Sequence, residues 1–404
     1  MRTHLLICLM VASLVLGAVA LATAAEAQGP PAVDVHGWLL TRYYFDQTVN
    51  ATRDSSGLIT NEDEDSWLEW ERMSLYATAR MANGKKAYAE VYIHPWLPNS
   101  HPSYLYLESM YFDVPAGPDA FFRIGKGRNL TFGIVPSYGN RKTSNYSPLA
   151  ETFTMDRALG IQYVQSRGDD SLAFGIFNAQ RPGNRLTGMA ADGQLDTGAL
   201  MATTAPHLTD RDSPANRSGQ LEVSARIGRQ MDDINVGISG RAGAMDDTDS
   251  AYLAVFPTYT GNQTRIRYGL DASYRSMPFC GTFQYYAGST GGIRHDGWEI
   301  LLGAEPSAQC TGIWRDMSSV CKGLYVRYGQ YEIDVPETLN TMTWDTEQLA
   351  VSYVLPLQCS LLGNYPKWLQ FEYERNTQDA PIIGSVQADE IPNDTFFVEL
   401  FSAF

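Results

Sequence analysis

Basic residues crowd one stretch of an otherwise acidic chain. Arg123, Lys126, Arg128, Arg141, Lys142 and Arg157 stand there against Glu151 and Asp156, while the whole protein carries a formal charge of −15. A ring of guanidinium and ammonium groups at a narrow place favours anions through its local field, whatever the net charge. The plainer reading of the same stretch is a solvated loop whose charges face bulk water. Other chemistry is harder to find. The sequence holds no His-Glu-x-x-His, no Gly-x-Ser-x-Gly and no Cys-x-x-Cys, and His94, His101, His207 and His295 are scattered. These absences speak against an enzyme, a metal centre or a bound cofactor. Glu62-Asp63-Glu64-Asp65 could hold a divalent cation shared with lipopolysaccharide, but its spacing is not that of a calcium loop, and a solvated acidic run is the simpler account. Nucleic acid is excluded by the acidic balance, since binding it needs a basic footprint.

The elements that would position these groups begin after a leader. Arg2 and His4 start the chain, Leu5 to Ala22 is almost wholly apolar, and Ala25-Glu26-Ala27 supplies small residues where a signal peptidase reads. Residues 1–27 are therefore expected to be a cleaved signal peptide, leaving 28–404 as the mature protein. Its removal takes away Arg2 and Glu26 together, so the charge is unchanged. No later run approaches the roughly 20 apolar residues of a spanning helix. Yet the chain carries 23 Tyr, 8 Trp and 35 Gly, a composition that suits a barrel crossing lipid on alternating residues.

That alternation is visible. In Trp67 to Met81, Met73, Leu75, Ala77, Ala79 and Met81 oppose Arg72, Ser74, Tyr76, Thr78 and Arg80. The same period of two recurs in Gln220 to Gly228, Asn235 to Gly243 and Thr264 to Arg275, and means strands with one apolar side. Short connections such as 82–85, 114–119, 166–170, 228–233 and 276–278 alternate with long ones at 47–66, 127–157, 180–218 and 245–263. Short periplasmic turns alternating with long outer loops, with the N-terminus inside, give a closed antiparallel transmembrane β-barrel, all-β, of about 16 strands. The terminal Phe396 to Phe404 alternates and ends on an aromatic. It is similar to the signal that bacterial barrel-assembly machinery reads. Leu75, Ile238, Leu270 and Phe371 are expected to face lipid.

Strand parity sorts the remaining charges. Arg42, Arg72, Arg80, Arg226, Arg241, Arg265, Arg267 and Arg327 fall on polar faces. A charge facing lipid costs about 2–4 kcal/mol at midplane, so these should line the lumen. Glu90, Glu222, Asp271, Glu299, Glu372 and Glu399 share those faces, and internal ion pairs that brace the wall are expected to absorb much of this charge.

A stretch from Phe121 to Val164 resembles the phosphate-selective porin group, whose members are 16-stranded outer-membrane barrels. The resemblance rests on Ile124-Gly125-Lys126, on the acid–Arg pair Asp156-Arg157, and on Leu159-Gly160-Ile161-Gln162-Tyr163. Leu324 to Tyr328, Phe371 to Arg375 and the terminal strand extend it to about half the mature chain. The stretch departs from the group in lacking a Thr-Pro-Phe run after the first motif and a dense lysine cluster. The resemblance implies the fold, an inward-folding loop near 127–157 that narrows the lumen, and a homotrimer; phosphate specificity does not follow. The expected function is passive diffusion of small hydrophilic solutes, with a preference for anions, across the bacterial outer membrane. The other reading is a barrel sheathing a partner, such as a multihaem cytochrome electron conduit.

Cys280, Cys310, Cys321 and Cys359 remain after the leader. Strand counting puts all four at the periplasmic rim, where an oxidising compartment favours two disulfides. Cys310–Cys321 with Cys280–Cys359 and Cys280–Cys310 with Cys321–Cys359 stay open as pairings. A docking platform for a periplasmic partner is the competing reading of that rim.

Overall fold

The computed structural model describes residues 32–49, 52–53, 59–60, 63–81, 83–93, 105–134, 142–154, 157–178, 181–183, 209–211, 220–245, 261–333, 344–357, 365–380 and 389–404. The leader, Arg141, Cys359, Glu62, His94, His101 and His207 lie outside them. Sixteen strands form one closed antiparallel barrel. They are β1 (Ala32–Val49), β2 (Asp63–Arg80), β3 (Lys86–Ile93), β4 (Leu105–Pro115), β5 (Ala120–Arg128), β6 (Arg157–Arg167), β7 (Asp170–Asn178) and β8 (Leu221–Met231). The second half is β9 (Ile234–Ala244), β10 (Thr264–Ser276), β11 (Phe279–Thr290), β12 (Ile293–Ala304), β13 (Gly323–Ile333), β14 (Trp344–Pro356), β15 (Lys367–Ala380) and β16 (Asp389–Ala403). Each strand pairs with its sequence neighbours, and β1 closes the ring on β16. Closure is what lets strands cross lipid, because every backbone group finds a partner and no edge remains.

The seam shows how the C-terminus contributes. Arg42 lies in register with Glu399 and Trp38 with Ala403. Gly37 and Phe404 then exchange both backbone hydrogen bonds at 2.9 Å. A Cβ on Gly37 would stand 2.6 Å from the Phe404 ring, so only glycine leaves room for that aromatic at the seam.

The outer surface is the apolar face that the period of two anticipated. Leu75, Ile238 and Leu270 are exposed, as are Phe122, Ile124, Leu159, Ile161 and Leu324. Phe371 shares the outward face and is partly covered beside Tyr353. In a water-soluble protein such a band would be an aggregation surface; here it is the lipid contact that makes this an outer-membrane barrel.

Two connections break the expected alternation of lengths. At the outer end β11 and β12 are joined only by Gly291 and Gly292, both at positive φ (65° and 91°), the backbone a two-residue hairpin requires. At the periplasmic end, residues 305–322 include a short helix, Ile313–Met317.

Candidate functional site

The loop between β5 and β6 enters the lumen. Residues 129–134 run along one wall. Leu130 N–H donates to Gln162 Oε1 at 2.7 Å, the Thr131 hydroxyl meets that of Ser224, Gly133 N–H donates to Ser239 at 3.2 Å, and Ile134 N–H to the Tyr286 hydroxyl at 3.0 Å. Residues 142–154 start against the opposite side and return toward Tyr286. Their helix α1 (Pro148–Phe153) is started by Ser147, whose hydroxyl accepts from Ala150 N–H at 3.1 Å, with proline at the position that needs no N–H. Phe153 stacks on His295, 5.0 Å between centroids, and lies near Tyr286 and under Arg267.

Buried charge anchors the second piece. Arg42 donates to Glu399 at 2.7 Å, to Asn145 Oδ1 at 2.9 Å and to the Ser144 carbonyl at 2.6 Å. Ser144 N–H donates to Glu372 at 2.7 Å. Arg327 reaches the Thr143 hydroxyl, the Asn145 carbonyl at 2.7 Å and Gln348 at 2.5 Å. Tyr146 inserts into an apolar floor of Trp38, Leu40, Tyr92, Tyr325, Trp368 and Phe401, in which Trp368 stacks on Phe401 at 3.8 Å.

The predicted constriction residues are not one ring. Lys142 lies at the periplasmic end, bound to Glu305, which also accepts from Tyr325 at 3.0 Å and Arg275 at 3.2 Å. Arg123 sits near the same end in a two-pronged pair with Asp113, at 2.8 and 2.9 Å. Arg157 is buried against Glu108 at 2.7 Å. Arg128 is half-buried at the top of β5. Lys126 is a correction: it stands in register with Met110 and the outward-facing Leu159, and donates to the Leu107 carbonyl at 2.7 Å, so it belongs to the outer side of the wall.

The wall arginines are held by acids. Arg226 bonds Asp271 at 2.5 Å, and Arg241 and Arg265 share Glu222. Arg327 approaches Glu374 at 3.7 Å, and Arg80 pairs with Asp34 at the rim at 2.5 Å. Arg72 lies over the Tyr92 ring at 5.3 Å. Buried pairs of this kind do little for net stability, but removing one partner strands the other.

The cysteines also need correction. Cys280, Cys310 and Cys321 are at the periplasmic end but are free thiols, so neither Cys310–Cys321 nor Cys280–Cys310 is formed. Cys280 is fixed in β11 with its thiol 3.7 Å from Glu305, while Cys321 is buried and its N–H closes the turn after the short helix by bonding Met317. Burial pushes the Cys321 thiol up. Burial alone would also raise the Glu305 carboxyl, but Lys142, the Tyr325 hydroxyl and Arg275 outweigh it and hold it below the usual range.

Sequence reasoning missed Glu305, Ser144 and Asn145 as anchors and the aromatic floor. The floor was within reach of parity, since Trp38 and Leu40 share the face of Arg42. The anchors were not, because nothing local tells where a loop will touch a distant strand.

The closed barrel, its apolar exterior and the loop folded through its lumen define an outer-membrane barrel of the porin fold. OmpF of Salmonella typhi, solved with daunomycin, superposes with a TM-score of 0.56 at 13% identity, covering 92% of this chain and 97% of that one. OmpT, an outer membrane protein of Vibrio cholerae in its trimer form, gives 0.53 at 13% identity over 93% and 99%. OprB of Pseudomonas putida gives 0.53 at 8% identity over 92% and 94%. No family model and no curated relative matches the chain. The likeness is one of fold, and carries no information on a phosphate-selective subgroup.

Proposed function

We propose that this protein is a passive diffusion channel for small hydrophilic solutes. The carrying observation is the segment within the lumen, hydrogen-bonded to strands on opposite sides. Its residues 129–134 and 142–154 narrow the barrel. The segment also weighs against a sheath for a multihaem partner, because residues 129–134 and 142–154 take up part of the lumen that such a partner would need. The inward side chains that keep partial exposure include His36, Arg72, Tyr76, Lys86 and Tyr88, all on β1 to β3, and the passage runs along that face.

A weak anion preference follows. Three of the six cations expected at the constriction, Arg123, Lys142 and Arg157, meet an acid within bonding distance, so they contribute little field. Arg72, over the Tyr92 ring, and Lys86, over Tyr88 and Tyr111, place positive charge along that face. The likeness to a protein solved as a trimer supports a trimer here.

Single-channel recording in a planar bilayer tests this reading. Ohmic conductance with a reversal potential slightly toward anions is expected, and Arg72→Glu should move it toward cations. A purified, folded barrel without conductance would favour the sheath.

A further inference from the structure

On the open side of the lumen, aromatic rings form a continuous row. Tyr365 lies 6.1 Å from His36, His36 5.7 Å from Tyr76, Tyr76 6.0 Å from Tyr88, and Tyr88 5.1 Å from Tyr111. The register explains it. His36 is directly opposite Tyr76, and Tyr88 opposite Tyr111, while Tyr76 and Tyr88 meet on the diagonal. Arg123 closes the row, 3.8 Å over Tyr111, which is nearly covered. Tyr365 is exposed, and His36, Tyr76 and Tyr88 keep part of their surface.

The polar groups beside the rings are balanced. Arg80 pairs with Asp34, Arg123 with Asp113, and Glu90 accepts from Ser74 at 2.8 Å and from the Tyr88 hydroxyl at 3.0 Å. Lys86 lies over Tyr88 and Tyr111 at 5.5 and 5.7 Å. Three basic groups thus face three acidic ones, Lys86 completing the set. Such a surface exerts little net field on an ion. It offers flat apolar faces edged by alternating donors and acceptors.

We propose that this row is a stacking subsite for a neutral pyranose, a ring with an apolar C–H face and hydroxyls at its edge. The ring lies on Tyr76 and Tyr88, whose phenol is held at its edge by Glu90, and its hydroxyls exchange hydrogen bonds with the paired carboxylates and guanidinium groups. The proposal rests on the channel reading above and names a solute class for it.

Saturation-transfer NMR on the full chain in detergent micelles, with glucose as ligand and sorbitol as an open-chain control, tests it. Glucose should receive saturation and sorbitol should not. Losing two ring faces in Tyr76→Leu/Tyr88→Leu should weaken glucose binding about tenfold. Tyr365→Ala, in an exposed position, should weaken it less and serves if the double variant does not fold. Equal signals for glucose and sorbitol, or signals unchanged in these variants, would overturn the proposal. So would binding of benzoate but not glucose, which would make the row an aromatic-anion site. Conductance of the same preparations separates the two claims: conductance without glucose binding removes the subsite alone, and glucose binding without conductance removes the channel alone.

Discussion

Replacing Arg42 by Met should cost far more than one surface ion pair. Its guanidinium meets Glu399 at 2.7 Å with both side chains almost wholly buried. It also holds Asn145 and the Ser144 carbonyl. Removing it leaves the Glu399 carboxylate in a poorly solvated wall, a loss of about 3–5 kcal/mol. The two bonds to the inserted segment add about 1 kcal/mol each. Guanidinium unfolding in lipid vesicles, followed by tryptophan fluorescence, would give the loss. Arg42→Met/Glu399→Met should recover most of the first part, because no buried charge is stranded. It should not recover the second, since Ser144 and Asn145 remain unanchored, so its open-channel current should stay noisier than that of the parent. A single variant losing less than about 1 kcal/mol, or a double variant no more stable than the single, would refute the argument.

Lys322 and the thiols give two further tests. The Lys322 ammonium stands 3.5 Å over the Trp368 ring, and burial, then the Lys142 charge, lower its pKa to about 8, with Glu305 opposing. Because the folded value lies below the unfolded one, the unfolded chain binds more protons between them, and stability should rise with pH across that window. Site-resolved amine acylation should show a midpoint near 8 that rises in Trp368→Ala; a parent midpoint above about 10 would refute it. Denatured without reductant, Cys280, Cys310 and Cys321 should each take one maleimide, and protection of any of them would contradict the free thiols of the folded state.

The strands were legible because a lipid-facing wall imposes a rule on every second residue. Thr264 to Arg275 was read almost to the residue, against an observed Thr264–Ser276. Ends were less legible: the terminal strand begins at Asp389 rather than Phe396. Side chains above the lipid are free of that rule, so alternation fades before the ladder stops. The Gly291–Gly292 hairpin was overlooked because long outer loops were expected there.

The candidate site was legible only where it lies on strands. Arg42, Arg226, Arg241, Arg265 and Arg327 followed from parity alone, and so did Glu222, Asp271, Glu299 and Glu399; Glu374, which Arg327 approaches, was not among them. The basic stretch was read as one loop, and there the reasoning failed. Arg123 and Lys126 are three residues apart, an odd step, so on one strand they cannot share a face; β5 sends the first inward and the second outward. Lys142 failed for a different reason. Its place is set by Glu305, 163 residues away, across a barrel that must close before the two can meet. Local excess charge marked a segment that needs acidic partners: Asp113 and Glu108 on β4 meet Arg123 and Arg157, and Glu305, across the barrel, meets Lys142. A cluster of cations on such a loop therefore measures how firmly it is anchored before it measures what the pore selects.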